Sequence, residues 1–232
     1  MHLTLRDVAN ILNVSENTVY RWISDKQLPA RQVDGLYCFS SMQLFEWATL
    51  HHIDVPPKAF AQFTPENSEQ VRFDSALRCC GILPDVRGEN ANEVVCLIVN
   101  ALPLPDSFDR ENLIALILAG NGLRATSIGD GIALPHPRRP IVIPGRPPAV
   151  TLCYLANPLP NESGDKEPIQ TLFLMQSPTV RVHLQLLARL AYASRDEKFR
   201  QLLRRRAPAA DVLNEAHHVE EAFRTMNGNG QS

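Results

Sequence analysis

No run of the 232 residues stays apolar for the roughly 18 positions that a membrane-spanning helix needs, so no membrane partner is expected. The opening Met1-His-Leu-Thr-Leu-Arg-Asp7 lacks the apolar core of a secretory signal, and we expect a cytoplasmic protein. Five cysteines, Cys38, Cys79, Cys80, Cys96 and Cys153, are an odd number without metal-site spacing. They read as reduced thiols, the vicinal Cys79-Cys80 included, with a redox pair as the alternative there. Neither a cofactor nor a metal site is expected. The formal net charge of -2 lacks the basic excess that would advertise nucleic acid or a membrane surface. There is no internal repeat. What remains, 44% hydrophobic and 21% charged residues, suits a globular protein of one or two domains with real cores.

The most informative stretch is Thr126-Ser-Ile-Gly-Asp-Gly-Ile-Ala-Leu-Pro-His136-Pro-Arg-Arg-Pro140. Gly129 and Gly131 bracket Asp130 and allow a tight turn with positive φ. Ile132, Ala133 and Leu134 read as a short buried strand. Pro135 and Pro137 stiffen the chain on both sides of His136. Arg138 and Arg139 place cationic donors nearby. A histidine so presented suits a nucleophile that takes up an anionic phosphoryl group.

At the other end of the chain, Thr4-Leu-Arg-Asp7 has capping-box form and opens a helix carrying Val8, Ala9 and Leu12. Ser15 caps a second helix over about 16–24, with Val19, Trp22 and Ile23 on its buried side, and Pro29 stops it. Residues 31–39 read as two short strands around Asp34-Gly35, a hairpin dipeptide. Ser40 or Ser41 then caps a third helix carrying Leu44, Phe45 and Trp47. Helix, turn, helix, hairpin, helix is a winged helix-turn-helix. Leu5-Arg-Asp-Val-Ala-Asn-Ile-Leu-Asn-Val-Ser-Glu-Asn-Thr-Val-Tyr-Arg-Trp-Ile23, with Leu28-Pro-Ala30 and Phe39…Leu44-Phe-Glu-Trp47, resembles the small excisionase/MerR-like DNA-binding domain. That resemblance implies that Asn17, Thr18, Tyr20 and Arg21 face DNA, with Lys26 and Arg31 near phosphates. Residues 1–50 hold four basic residues (Arg6, Arg21, Lys26, Arg31) against five acidic ones (Asp7, Glu16, Asp25, Asp34, Glu46). A single copy should therefore bind DNA weakly, and a homodimer or another partner would have to help. A protein-contact role is the alternative for this module.

Residues 51–70 contain Pro56-Pro57, Pro65 and a polar Glu-Asn-Ser-Glu stretch and read as a linker. The expected organisation is a DNA-binding domain at 1–53, a linker at 54–70, a second domain at 71–226 and a flexible tail at 227–232. In the second domain, helices are expected at 92–102, 109–119, from Thr179 onward, at 195–205 and at 208–224. Strands are expected at 131–135, 140–144, 149–155 and 171–175, with a polar loop at 158–168. The fold class is α/β, the second domain carrying a mixed sheet flanked by helices. His217-His218 reads as a solvated helix pair rather than metal ligands. Arg204-Arg-Arg206 reads as answering a helix dipole or facing solvent.

Gly129-Asp-Gly-Ile-Ala-Leu-Pro-His136 followed by His183-Leu-Gln-Leu-Leu-Ala-Arg-Leu-Ala191 is similar to the type-2 enzyme IIA domains of the phosphoenolpyruvate-dependent phosphotransferase system, the fructose/mannitol and nitrogen-regulatory kind. The resemblance implies that His136 accepts phosphate from the histidine-containing phosphocarrier protein and that His183 orients its ring or holds phosphoryl oxygens. It departs at Gly120-Asn121, where the family usually has Arg-Glu. Arg124, Thr126 or Arg138 would then have to steady the phosphoryl group. The combined reading is a DNA-binding transcriptional regulator switched by phosphorylation of His136. Its alternatives are a phosphocarrier serving a separate IIB sugar-transport protein and a phosphorylation-incompetent IIA-like module that binds proteins.

Overall fold

Thr4 ends one short strand and caps the helix that follows it. In the computed structural model, which describes residues 2–26, 28–33, 35–51, 53, 55, 71–119, 127–135, 142–143, 145–161 and 167–228, strand β1 is His2–Thr4 and helix α1 is Leu5–Ile11. The Thr4 hydroxyl accepts from Asp7 N at 3.2 Å, and Thr4 N donates to the Asp7 carboxylate at 2.8 Å, the reciprocal capping box. These hydrogen bonds hold the Asp7 carboxyl below its ordinary range. Ser15 caps helix α2 (Glu16–Asp25) by accepting from Thr18 N. Strands β2 (Arg31–Val33) and β3 (Leu36–Ser40) form the hairpin, and helix α3 (Ser41–Leu50) follows. Strand β1, which the sequence patterning does not reveal, pairs antiparallel with β3 and completes a sheet ordered β1-β3-β2. Val8, Ile11, Val19, Leu28, Phe39, Leu44 and Phe45 close the core. Trp22 and Trp47 are buried with ring centroids 5.3 Å apart, and Trp47 Nε1 donates to the Lys26 carbonyl. Ile23, expected on the buried side, is only half-buried.

The chain falls into two compact units, 1–69 with 223–232, and 70–222. Apart from Val55, the expected linker at 54–70 lies outside the described residues. So do Gly120, Asn121, Arg124, Thr126, His136 and Arg138, and the last four residues of the expected tail.

The second unit opens with helix α4 (Phe73–Cys80), followed by strand β4 (Ile82–Val86), helix α5 (Ala91–Ala101) and helix α6 (Arg110–Ala119). Strands β5 (Ile132–Ala133), β6 (Ala149–Leu159) and β7 (Ile169–Gln176) follow. Helices α7 (Val180–Ala193), α8 (Glu197–Arg204) and α9 (Ala209–Gly228) follow, α9 belonging to this unit up to Ala222. Among the described residues the sheet runs β4-β6-β7-β5, with β4 parallel to β6, β5 parallel to β7, and β6 antiparallel to β7. The sheet is therefore mixed. Strand β4 was hidden by Pro84-Asp85, a turn-like dipeptide; as an edge strand it tolerates the proline. The 131–135 segment pairs only at Ile132 and Ala133. Of the segment expected at 140–144 only Val142 and Ile143 are among the described residues, and Val142 makes a parallel bridge to Ser177.

Side chains alternate across the sheet and divide the core. Leu172 and Leu174 of β7 join Val94, Ile98, Leu113 and Ile117 of α5 and α6 in one cluster. Phe173, between them in sequence, points the other way and meets Phe73 of α4 and Phe199 of α8, with centroids 6.4 Å away in each case. This is a three-layer α/β/α arrangement. Arg110 locks the α5–α6 corner by donating to the carbonyls of Val99, Leu102 and Leu104, at and just beyond a helix end where carbonyls run short of intrahelical partners.

Candidate functional site

Residues 127–135 build a hairpin-like turn docked on the sheet. Ile128 N donates to Ile132 O at 2.9 Å, Ile132 N donates to Gly129 O at 3.0 Å, and Ser127 bridges Ala133. Gly129, Asp130 and Gly131 have φ of 92°, 54° and 66°, three consecutive left-handed residues. Glycine takes this region freely and aspartate is among the few others that tolerate it. Gly131 is required twice over, because a Cβ there would lie 2.6 Å from the Pro168 carbonyl oxygen. The Gly131 carbonyl accepts from Gln170 N at 2.8 Å and Thr171 N at 3.1 Å, fastening the turn to β7. The Asp130 carboxylate pairs with Arg200 and Arg204 of α8, one guanidinium to each oxygen. Burial and the neighbouring charge of Arg204 lower the affinity of Arg200 for its proton. Ile132, Ala133, Leu134 and Pro135 are all buried, and His136 is the next residue of the chain.

His183 sits on the first turn of α7, 2% exposed. Thr179 caps that helix by accepting from Val182 N at 3.2 Å, and its carbonyl accepts from His183 N. Because β5 and β7 are parallel, their carboxyl ends lie at the same end of the sheet. The segment that follows β5 and the segment that leads from Gln176 into α7 therefore run towards the same end of the sheet, the usual place for sites in α/β folds, with β5 stopping opposite Leu172. Gln176 and Ser177 are buried at this end, and Gln176 Nε2 and Ser177 Oγ have no hydrogen-bond partner among the described residues. Buried polar groups are nearly always satisfied, so this pair marks a point where polar contacts are still on offer.

On α2, Asn17, Tyr20 and Arg21 are exposed at spacings of three and four, one face of the helix. Tyr20 is 50% exposed and meets Tyr37 of β3 edge-on, 5.7 Å between centroids. Thr18 differs from them: it is half-buried, and its hydroxyl is 2.9 Å from Ser15 Oγ within the cap. Lys26 lies with its ammonium 5.8 Å from the Trp22 ring centre, and Arg31 is exposed on β2.

Comparison with known proteins agrees with both halves. Residues 3–49 match the family described as Helix-turn-helix domain. Residues 79–218 match the family described as Phosphoenolpyruvate-dependent sugar phosphotransferase system, EIIA 2. The chain belongs to this EIIA type-2 family. It is 30% identical over 148 residues to a protein named Nitrogen regulatory protein from Pseudomonas aeruginosa, covering 62% of this chain and 92% of that one. It shares its fold, at a TM-score of 0.51 and 20% identity, with the crystal structure of nitrogen regulatory protein IIA-Ntr from Neisseria meningitidis, over 62% of this chain and 97% of the other.

Within the EIIA unit, several charged residues play parts that the sequence reading did not assign. Arg204, expected to face solvent or answer a helix dipole, binds Asp130, and Arg206 donates to the Leu155 carbonyl at 2.6 Å. The reason is tertiary: α8 passes beside the turn and β6, and carboxylate and carbonyl acceptors outcompete water. His217 is not simply solvated either, since its Nδ1 lies 2.7 Å from the Asp74 carboxylate. Among the described residues no cluster of three His, Cys, Asp or Glu could hold a metal ion. No described helix is long and apolar enough to cross a membrane. Of the residues expected at the phosphoryl site, His183 alone is among those described. Asp130, Arg200, Gln176 and Ser177 were not singled out as site residues. The Gly-Asp-Gly turn was visible, but its arginine partners lie seventy residues away.

Proposed function

We propose that this chain is a DNA-binding regulator whose EIIA unit accepts a phosphoryl group on His136 from the histidine-containing phosphocarrier protein, and that the charge so gained changes DNA affinity. The observation that carries the reading is the docked Gly129–Gly131 turn, after which β5 runs parallel to β7, the strand that leads into the His183 helix. In the transfer, a ring nitrogen of neutral His136 attacks phosphorus as the carrier's own N–P bond breaks, and the carrier's imidazole recovers its lone pair. His183 and the hydrogen-bonding groups of Gln176 and Ser177 would steady the oxygens of the incoming group. Arg124, Thr126 and Arg138 are the further candidates for that task. The exposed Asn17, Tyr20 and Arg21 face of α2, with Lys26 and Arg31, would meet DNA. Phosphorylation adds nearly two negative charges, enough to alter domain packing or dimer contacts. The relative from Pseudomonas aeruginosa is named for nitrogen regulation, which favours a regulatory role over supply of a IIB sugar-transport partner.

Gly120, standing where the family usually has arginine, favours a second reading, a IIA fold that binds partners without being phosphorylated. One experiment separates them. The protein is incubated with phosphoenolpyruvate, enzyme I and the phosphocarrier, alongside His136→Ala and His183→Ala. Acid-labile label on the wild type and none on His136→Ala supports the phosphoacceptor. No label, under conditions that charge a control IIA domain, leaves the binding module. DNA affinity measured in both states then tests the switch, and equal affinities would sink it.

A further inference from the structure

We propose that Asp130, clasped between Arg200 and Arg204, is a positioning residue for phosphoryl transfer: it fixes the turn from which the chain runs to His136. The inference rests on the phosphoacceptor reading above and names the side chains that make the acceptor rigid. A turn needing only positive φ could use glycine or asparagine at this position. The carboxylate adds a charge, placed between the guanidinium groups of Arg200 and Arg204. The two arginines are four residues apart on α8, one turn of the helix, so the carboxylate also relieves their mutual repulsion.

The clasp starts from a stiff base. Arg200 directly follows Phe199 and Arg204 directly follows Leu203, and both of those side chains are buried, Phe199 packed on Phe173 of β7. The turn is thus held from two sides by elements that share one strand. Its backbone is bonded to β7 through the Gly131 carbonyl, and its side chain is bonded to a helix packed on β7. Ser127 adds a third tie, its hydroxyl within 3.3 Å of Gly129 N and 3.2 Å of Asn161 Nδ2. Between this anchor and His136 lie five residues, 131–135, all buried, so a shift of the turn passes directly along them. A nucleophile displaced by about 1 Å loses of the order of a hundredfold in rate.

The test compares wild type with Asp130→Asn, which keeps the left-handed preference and removes the charge, and with the double variant Arg200→Gln, Arg204→Gln. We expect initial labelling rates at saturating phosphocarrier to fall about tenfold or more in both, with KM for the carrier within about twofold. The charge-keeping double variant Arg200→Lys, Arg204→Lys should recover part of the rate. Thermal unfolding of each variant shows whether the fold is kept. A donor-free readout runs in parallel. The His136 ring resonances, assigned by their loss in His136→Ala, should be one sharp set in the wild type and broadened or doubled in Asp130→Asn. Wild-type rates and ring resonances in the variants would overturn the proposal. Absence of label from the wild type would overturn the phosphoacceptor reading instead, and the ring resonances would still decide whether Asp130 positions His136.

Discussion

Arg189 and Glu220 form an ion pair at 3.1 Å in which the Glu220 side chain is almost wholly buried. The other oxygen of Glu220 accepts the backbone N–H of Phe73 at 2.9 Å. One carboxylate thus joins α7, the helix of His183, to α9 and to the first residue of α4. Burial pushes the Glu220 carboxyl up, against the opposing pull of Phe73 N and Arg189. A carboxyl raised in the folded state binds more protons there than in the unfolded chain, so its contribution to stability grows as pH falls through that window. Arg189→Ala leaves an unpaired buried carboxylate and should cost about 3 kcal/mol at pH 7. The loss should shrink as pH is lowered towards 4.5, the ordinary value, and protonation relieves the buried charge. Urea unfolding at pH 7 and pH 5 checks both.

Asp74 should behave with the opposite sign. Burial alone would push its carboxyl up, but hydrogen bonds from Arg72 and His217 outweigh it and hold it well below the ordinary 3.8. Arg72 also pairs with Glu221 at 2.8 Å. A depressed carboxyl contributes stability that is fully present above the unfolded value and is lost as pH falls towards the folded one. Asp74→Asn should cost about 2 kcal/mol at pH 7, and the gap from wild type should close below pH 3.8. Acid titrations of both proteins followed by circular dichroism measure this.

Gly131→Ala should be far more damaging than Gly145→Ala. Both glycines have positive φ, but a Cβ at 131 meets the Pro168 carbonyl whereas at 145 it meets nothing within 4 Å. The second substitution carries the backbone cost alone, about 1 kcal/mol, and the first adds a clash with backbone that cannot rotate away. Thermal melts should place Gly131→Ala several degrees below Gly145→Ala, and equal melting temperatures would contradict the close approach.

For the helix-turn-helix unit, Arg21→Ala should weaken binding to mixed-sequence duplex DNA and reduce the salt slope by about one. Thr18→Val should act mainly on stability, because its hydroxyl belongs to the cap. Fluorescence anisotropy across 50–200 mM salt reads the first effect, and thermal unfolding reads the second.

Local rules carried the reading wherever the causes of structure were local. The Thr4 capping box, the Ser15 cap and the Asp34-Gly35 hairpin each depend on residues a few positions apart, and the first two are made by the atoms expected. The start of α7 at the Thr179 cap and its helical character followed from local signals, whereas the continuous burial of 183–188 did not, because packing on more than one side is not written in a single apolar stripe. Strands β1 and β4 escaped. Three residues carry no measurable alternation, and Pro84-Asp85 looks like a turn unless one knows that β4 is an edge. Strand order β4-β6-β7-β5 could not be read, because it is set by which pairings bury both faces of β6 and β7.

The sequence by itself determined the two-part architecture, the helix caps and the Gly-Asp-Gly turn ahead of His136, because backbone preference and short-range hydrogen bonding act between neighbours along the chain. Only the tertiary structure decided what the charges are for. Asp130 meets Arg200 and Arg204, Glu220 meets Arg189, and Asp74 meets Arg72 and His217. Apart from Arg72 these partners lie 31 to 143 residues away, brought together by burial of apolar faces on the two sides of the sheet. A charge drawn along with a buried face must find a counter-charge, and that choice is made by packing.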